Sequence, residues 1–254
     1  MSIRSSLQNG VATIEINRPD KKNALTAEMY QAMADALSRA QADPAVRAIL
    51  FAGQPGMFTA GNDLEDFVQR PPKDMDAPVF RFMQALVGVD KPVVAAVEGV
   101  AVGIGVTLLL HCDLVYVADN AKLALPFVNL GVVAEFASSF LLPLNAGYVK
   151  AAEKLLLGEP FSAQEAYEMR IVNAVLPPDQ VLERARATAE KFSRLPPSAV
   201  RETKKLLRHC HAAEVAATIK REGELFCARL GAGEAQEAMT AFLEKRKPDF
   251  SRFQ

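Results

Sequence analysis

The stretch KPVVAAVEGVAVGIGVTLLLHCDLVYVAD, residues 91–119, decides the fold. Residues 93–97 are wholly apolar, which indicates a strand buried on both faces. Glycines interrupt the chain at residues 99–105, and the apolar run at 106–111 predicts a short buried helix. Another apolar strand is predicted at residues 113–118. Buried strands joined through a helix favour a parallel sheet in an α/β protein.

The residues upstream predict a strand, helix, strand unit of the same kind. Residues 10–17 alternate apolar and polar side chains, as a half-buried strand does. Thr26 is expected to cap a helix whose apolar residues recur three or four apart as far as Ala40. Residues 46–51 are then predicted to form a second strand, which completes the unit.

The downstream half is predicted to be mostly helical. Ser162 and Glu165 form a capping-box pattern at the start of one helix, and residues 171–176 interrupt the helices with one strand. Leu195-Pro196-Pro197 precedes a fully helical tail. We therefore predict a core at residues 1–194 and a helical region at residues 195–254.

Composition excludes several classes of function. The 254 residues are 50% hydrophobic and carry a net charge of −1 with both signs mixed, so neither nucleic acid nor an anionic membrane is an expected partner. The three cysteines and three histidines lack metal-ligand spacing, and no metal site is expected. The first residues lack the apolar segment of a signal peptide, which favours a cytoplasmic protein.

Two loops of small residues are candidates for backbone chemistry. One covers residues 57–63 and the other is Gly103-Ile104-Gly105, which opens the predicted buried helix. The backbone amides of Asn62 and Ile104 could together form an oxyanion hole, which stabilises negative charge that develops on a carbonyl oxygen. On spacing alone, ordinary tight turns between sheet and helix are the favoured explanation of both loops.

Several motifs resemble the crotonase superfamily, which includes the enoyl-CoA hydratases and isomerases. Besides residues 91–119, the matching segments are FTAGNDLEDF at 58–67, KKNALT at 21–26, LGEPFSAQEA at 157–166 and AFLEKRKPDF at 241–250. The resemblance implies a spiral of ββα units with a C-terminal helical trimerisation region, and therefore a homotrimer or a dimer of trimers. It also implies that the core at residues 1–194 binds an acyl-CoA thioester substrate and that residues 195–254 serve oligomerisation and cap the active site. No separate cofactor is expected, since coenzyme A is part of the substrate.

The acid and base groups distinguish members of this superfamily. Typical hydratases place two glutamates where this chain has Thr107 and Phe127, so ordinary hydration is disfavoured. Glu135, within LPFVNLGVVAEFASS at residues 125–139, instead resembles the proton-carrying glutamate of the peroxisomal type of Δ3,Δ2-enoyl-CoA isomerase. The resemblance implies that the chain moves the double bond of a 3-enoyl-CoA to the 2-position in fatty acid degradation. Without it, Glu135 would be read as an ordinary solvated acid.

Further binding residues follow from the resemblance alone. It assigns the acyl-CoA path to Lys22, Ala24, Leu25, Ala60, Gly61, Asp63, Leu64, Gly103 and Phe127, and a neighbouring subunit's coenzyme site to Phe242 and Lys245. Asp63 could equally cap the next helix, Phe242 could be core packing, and Lys245 could be a solvated helix end. The alternative functions are an atypical hydratase, a thioester hydrolase, or an acyl-CoA-binding protein without catalysis.

Overall fold

Two sheets organise residues 2–253, which are the residues that the computed structural model describes. The main sheet has the strand order β1-β2-β3-β4-β6-β9, and the smaller sheet has the order β5-β7-β8. In chain order the strands are β1 Ile3–Gln8, β2 Val11–Ile16, β3 Ala48–Ala52, β4 Val93–Val97, β5 Val100–Val102, β6 Leu114–Ala118, β7 Lys122–Ala124, β8 Phe161–Ser162 and β9 Ala174–Leu176.

Helices cover the main sheet and form the whole C-terminal part of the fold. They are α1 Ala27–Ala42, α2 Leu64–Gln69, α3 Pro78–Gly88, α4 Ile104–Thr107, α5 Ser138–Ala146, α6 Tyr148–Leu157, α7 Ala163–Glu168, α8 Pro178–Lys191, α9 Pro197–His209, α10 Ala212–Leu230 and α11 Gly233–Leu243. Among the residues described, none of these helices is both long and apolar enough to cross a membrane.

The main sheet is parallel except at its β1 edge, as the apolar strands predict. β1 pairs with β2 in the antiparallel sense, and every other pairing in this sheet is parallel. Every residue of β3 and β4 is buried, because helices pack on both faces of a parallel sheet. The predicted buried parallel sheet is therefore confirmed.

The smaller sheet is extended by two loop segments that carry the site. Thr59 pairs with Ala101 of β5, and Leu25 pairs with Asn62, both in the parallel sense. Each main-sheet strand from β2 to β6 is thus followed by an extended segment in a second layer. This repeated step from one layer to the other produces the spiral of ββ units and places Asn62 beside the end of β5.

Several elements differ in detail from the sequence prediction. The apolar run at residues 106–111 is not one helix, because α4 ends at Thr107 and a tighter 3-10 turn covers Leu108–His111. The predicted strands at 46–51, 113–118 and 171–176 start later, at Ala48, Leu114 and Ala174. The Ser162–Glu165 capping box and the Thr26 cap of α1 are confirmed. The division near residue 195 stays a prediction.

Candidate active site

A cavity of about 570 Å³ lies between the second-layer segments and the C-terminal helix α11. Most of the residues assigned to the acyl-CoA path contribute to its wall: Lys22, Ala24, Ala60, Gly61, Asn62, Asp63, Leu64, Gly103, Ile104, Phe127 and Phe242. A larger cavity, of about 1050 Å³, adjoins it and shares Phe67, Met239 and Leu243 with it. The structure therefore brings together in one cleft residues that lie far apart in the sequence.

The backbone N–H of Asn62 points away from the segment that contains Leu25, because Leu25 pairs with the backbone groups of the residues on either side of Asn62. Leu25 N–H donates to the Gly61 carbonyl at 2.8 Å, and Asp63 N–H donates to the Leu25 carbonyl at 2.9 Å. Gly61 has a φ of +87°, and a Cβ there would lie 2.8 Å from the Val102 carbonyl oxygen. Glycine is therefore required where the chain turns to present Asn62.

The Ile104 amide is the first of α4 and has no partner within that helix. Gly103 precedes it with φ of 55° and ψ of −116°, a conformation that suits glycine. No hydrogen bond from the Asn62 or Ile104 backbone N–H to any group of residues 2–253 is present. Two unpaired amides on one cavity wall are candidate donors for an oxyanion hole.

Glu135 is buried, with only 4% of the residue exposed, and it is held by the same helix that presents Ile104. Thr107 Oγ1 donates to Glu135 Oε1 at 2.5 Å. The other oxygen, Oε2, has no hydrogen-bond partner among residues 2–253. Burial raises the pKa of Glu135 to about 8; the Thr107 hydrogen bond opposes this rise and the negative charge of Glu222 adds to it.

The backbone that follows Glu135 is fixed by two other buried side chains. Phe136 and Ala137 both have positive φ, 60° and 56°. Glu222 on α10 accepts hydrogen bonds from the amides of Ala137 at 2.5 Å and Ser139 at 2.9 Å, which caps α5. His111 stacks on the Phe136 ring at 3.9 Å and its Nε2 lies 2.7 Å from the Phe136 carbonyl oxygen. Burial lowers the pKa of His111 to about 4, so the ring is neutral and donates this bond.

Asp63 is used structurally as well as lining the cavity. It caps α2 through Asp66 N–H and pairs with Arg18 at 2.6 Å. Burial pushes the pKa of Asp63 upward, but Arg18 and the amides at the start of α2 outweigh it and leave that pKa lowered. Asn23, fully buried, donates to the carbonyls of Ile16 and Phe58 and so ties the first loop to the loop that carries Asn62.

Three of the predicted site residues lie off the wall of this cavity. Leu25 lies beside a neighbouring smaller cavity, and Lys245, which follows the end of α11, lines neither cavity. Phe242 is 61% exposed rather than packed in the core. Glu135 does not line this cavity, although Val132, three residues earlier in the chain, does. Within residues 2–253, no three His, Cys, Asp or Glu side chains come together as a metal site.

The residues that support the site are not apparent from the sequence. The sequence marks Thr107 only as a position without a glutamate, and it carries no signal for Glu222 or Tyr30. Tyr30 donates a hydrogen bond from its hydroxyl to Asn62 Oδ1, across 32 positions of sequence. Glu222 stands 85 residues from the amide that it caps. No short-range pattern connects such pairs, although the KKNALT motif does mark Asn23.

Comparison with known proteins defines the class. The sequence profile of the enoyl-CoA hydratase/isomerase family matches residues 6–252. A structure titled "Structure of Pseudomonas aeruginosa OdaA" is 51% identical, has a TM-score of 0.93, and covers 95% of this chain and 98% of its own. A probable enoyl-CoA hydratase of Mycobacterium leprae is 34% identical over 95% of this chain and 94% of its own length. The rat enoyl-CoA delta isomerase 2 is 35% identical over 95% of this chain, which spans 63% of that relative.

The fold is that of the crotonase superfamily. The chain belongs to the enoyl-CoA hydratase/isomerase family of the crotonase superfamily, whose members act on acyl-CoA thioesters. The fold class expected from the motifs is thereby confirmed.

Proposed function

We propose that the protein is a Δ3,Δ2-enoyl-CoA isomerase that uses Glu135 as its only proton carrier, in the degradation of unsaturated fatty acids. One observation carries the proposal: Thr107 donates its hydroxyl hydrogen to Glu135 at 2.5 Å, so the residue aligned with a hydratase glutamate serves a single buried carboxyl instead. Glu222, whose negative charge helps to raise the pKa of Glu135, accepts hydrogen bonds from two backbone amides. The similarity to the rat delta isomerase supports the same reaction.

The oxyanion hole would acidify the substrate. The thioester oxygen accepts hydrogen bonds from the amides of Asn62 and Ile104, and these bonds strengthen as negative charge moves onto that oxygen. The proton at C2 becomes more acidic because the enolate formed by its loss is stabilised. Two fixed donors of this kind typically contribute a large part of such an enzyme's rate.

Glu135 would accept that proton. Ile104 and Thr107 are three residues apart on α4, about 4.5 Å along the helix axis, so the amide that would bind the thioester oxygen and the hydroxyl bonded to Glu135 belong to one helical turn. Oε2, which has no partner in the described part of the chain, removes the proton from C2. The dienolate then recovers the same proton at C4, and the conjugated 2-enoyl-CoA results. No water and no second acid take part.

Other residues of the cleft suit the remaining parts of the substrate, which are the phosphates of coenzyme A and the acyl tail. The cavity that the two amides line also has three basic residues in its wall, Lys21, Lys22 and Arg246. Their positive charges would attract the phosphates of coenzyme A. The adjoining cavity of about 1050 Å³ is lined mainly by apolar groups, including Met75, Cys227 and Met239, and can take the acyl tail. No further cofactor has a part in this mechanism.

The proposal includes the quaternary structure and location expected from the family. Leu206, Leu207 and Leu225 are exposed on the C-terminal helices, which supports a homotrimer or a dimer of trimers assembled through this region. Phe242 and Lys245 would then be placed near a neighbouring subunit. A cytoplasmic location is part of the same proposal.

The test compares wild type, Glu135→Gln and Glu168→Gln with 3-hexenoyl-CoA as substrate. Glu168 is exposed on α7 and lines neither of the two large cavities, so it controls for the loss of one carboxyl. We expect wild type and Glu168→Gln to form 2-hexenoyl-CoA at equal rates. Glu135→Gln should lose orders of magnitude in kcat while it still binds a saturated acyl-CoA and unfolds cooperatively.

Isotope transfer and a second substrate separate the alternatives. A single carrier predicts that deuterium placed at C2 appears partly at C4 of the product in ordinary water. Conversion that is unaffected in Glu135→Gln would remove Glu135 from the mechanism. Hydration of 2-hexenoyl-CoA or release of free coenzyme A without isomerisation would identify an atypical hydratase or a hydrolase, and binding without turnover would identify a non-catalytic protein.

A further inference from the structure

The side chain of Asn62 has a buried partner that the reaction described above does not use. Its Oδ1 accepts a hydrogen bond from the Tyr30 hydroxyl. Asn62 follows Gly61, whose positive φ makes this segment a sharp turn, and it precedes Asp63, which caps α2. The Gly61 turn and the Asp63 cap thus restrain the residues on either side of Asn62, and the hydrogen bond from Tyr30 restrains Asn62 itself, whose backbone amide would face the thioester.

Tyr30 is fixed in a way that makes it a rigid support. It lies in the first turns of α1, 1% exposed, with its ring centroid 5.7 Å from that of Phe82. Phe82 in turn lies 6.3 Å from Phe136, the residue after Glu135. The hydroxyl cannot swing to another partner without moving this aromatic cluster, because packed side chains in a core occupy single rotamers.

The hydroxyl also stays a donor over the whole working range of pH. Burial raises the pKa of Tyr30 well above its usual value, and the charges of Glu135 and Asp66 act in the same direction. An amide oxygen such as Asn62 Oδ1 can only accept, so the direction of this hydrogen bond is set. Its loss would leave that oxygen without the donor that holds it.

We propose that Tyr30 is a positioning residue for the oxyanion hole, which holds Asn62 through its side chain and thereby keeps the Asn62 backbone N–H aimed at the thioester oxygen. The inference rests on the oxyanion-hole part of the proposed function and not on the isomerisation itself. It assigns a role in the reaction to a residue of α1, which contributes nothing to the cavity of the two amides.

The chain offers a matched control for removing a buried tyrosine hydroxyl. Tyr116 on β6 is buried and its hydroxyl donates to Thr188 on α8 at 3.2 Å, among elements that do not line the cavity. Tyr30→Phe and Tyr116→Phe each delete one hydroxyl and one hydrogen bond. A general effect of such a deletion on stability would appear in both variants.

The first measurement uses 4-dimethylaminocinnamoyl-CoA, a thioester whose absorption moves to longer wavelength when its carbonyl is polarised. We expect a red shift on binding to wild type, the same shift with Tyr116→Phe, and a clearly smaller shift with Tyr30→Phe at a similar Kd. With 3-hexenoyl-CoA, kcat of Tyr30→Phe should fall roughly tenfold or somewhat more, less than the hundredfold or larger loss typical of deleting a donor, and KM should change little.

A second measurement tests whether Tyr30 acts through Asn62. In an Asn62→Ala background the hydroxyl has no side chain to hold, so adding Tyr30→Phe should cause no further loss of red shift or kcat. Independent, multiplying losses would overturn the proposal, and so would equal losses in Tyr30→Phe and Tyr116→Phe.

The probe also separates this inference from the proposed reaction. Wild type that polarises the probe but does not isomerise 3-hexenoyl-CoA would refute the isomerase and leave the role of Tyr30 to be decided by the red shift. Wild type that binds the probe without a red shift would overturn both the oxyanion hole and its support by Tyr30.

Discussion

Replacing Thr107 by valine should move the pH dependence of the reaction upward. Valine has nearly the shape of threonine, and Thr107 is fully buried, so the change removes the donor to Glu135 without opening a cavity. The Thr107 hydrogen bond favours the ionised carboxylate and lowers the pKa of Glu135, which burial has raised to about 8. Without the bond, that pKa must rise.

The size of the shift follows from the strength of such a bond. Hydrogen bonds to charged groups contribute about 1.5–3 kcal/mol, and one pKa unit corresponds to about 1.4 kcal/mol, so the pKa should rise by roughly one to two units. At pH 7 the ionised fraction of Glu135, and with it kcat/KM, should fall roughly ten- to a hundredfold. Most of the loss should disappear at high pH, where both proteins carry the ionised base.

The assay is kcat/KM for 3-hexenoyl-CoA as a function of pH, which reports ionisations of the free enzyme. Thr107→Ser keeps a hydroxyl and should keep the wild-type profile. Thr13→Val is a matched control, because Thr13 is also buried and its Oγ1 has no hydrogen-bond partner in the described part of the chain. The reasoning would be refuted if kcat/KM of Thr107→Val rose with pH over the same range as wild type, or if kcat/KM fell by the same factor at every pH.

Two further predictions concern the carboxyls of this region. The folded-state pKa of Glu135, about 8, exceeds its ordinary value of 4.5, so folding stability is lost as pH rises between these values. Glu135→Gln cannot ionise, so in urea unfolding it should be more stable than wild type at pH 8 by a few kcal/mol, at most about 5. Near pH 4.5 the two proteins should differ little in stability. Equal stability at pH 8 would contradict the raised pKa. Glu222→Gln removes the negative charge that raises the pKa of Glu135 and one acceptor at the start of α5. It should shift the rising part of the kcat/KM profile to lower pH, opposite to Thr107→Val, and reduce the free energy of unfolding by about 1–3 kcal/mol. Glu214→Gln, exposed on the same helix and outside both large cavities, should do neither.

Strands and helices with enough residues to show a period were predictable from the sequence. β4 is uniformly apolar, α1 has apolar residues at helical spacing, and the Ser162–Glu165 pair marks a helix start. β5 and β7 have three residues each and β8 has two, which is too short for alternation to be visible. β1 was missed because five of its six residues are exposed, as befits an edge strand.

The positions of the two small-residue loops and of Glu135 were also determined by the sequence, since each lies in a motif of contiguous residues. What these groups do depends on partners from distant parts of the chain. Thr107 reaches Glu135 across 28 positions, Tyr30 reaches Asn62 across 32, and Glu222 reaches Ala137 across 85. Local sequence fixes the backbone shape of a turn through its glycines. Only the tertiary structure decides which carboxyl is dehydrated, which hydroxyl restrains it and hence at what pH it can accept a proton, because those properties come from the packing of separate elements around a common cavity.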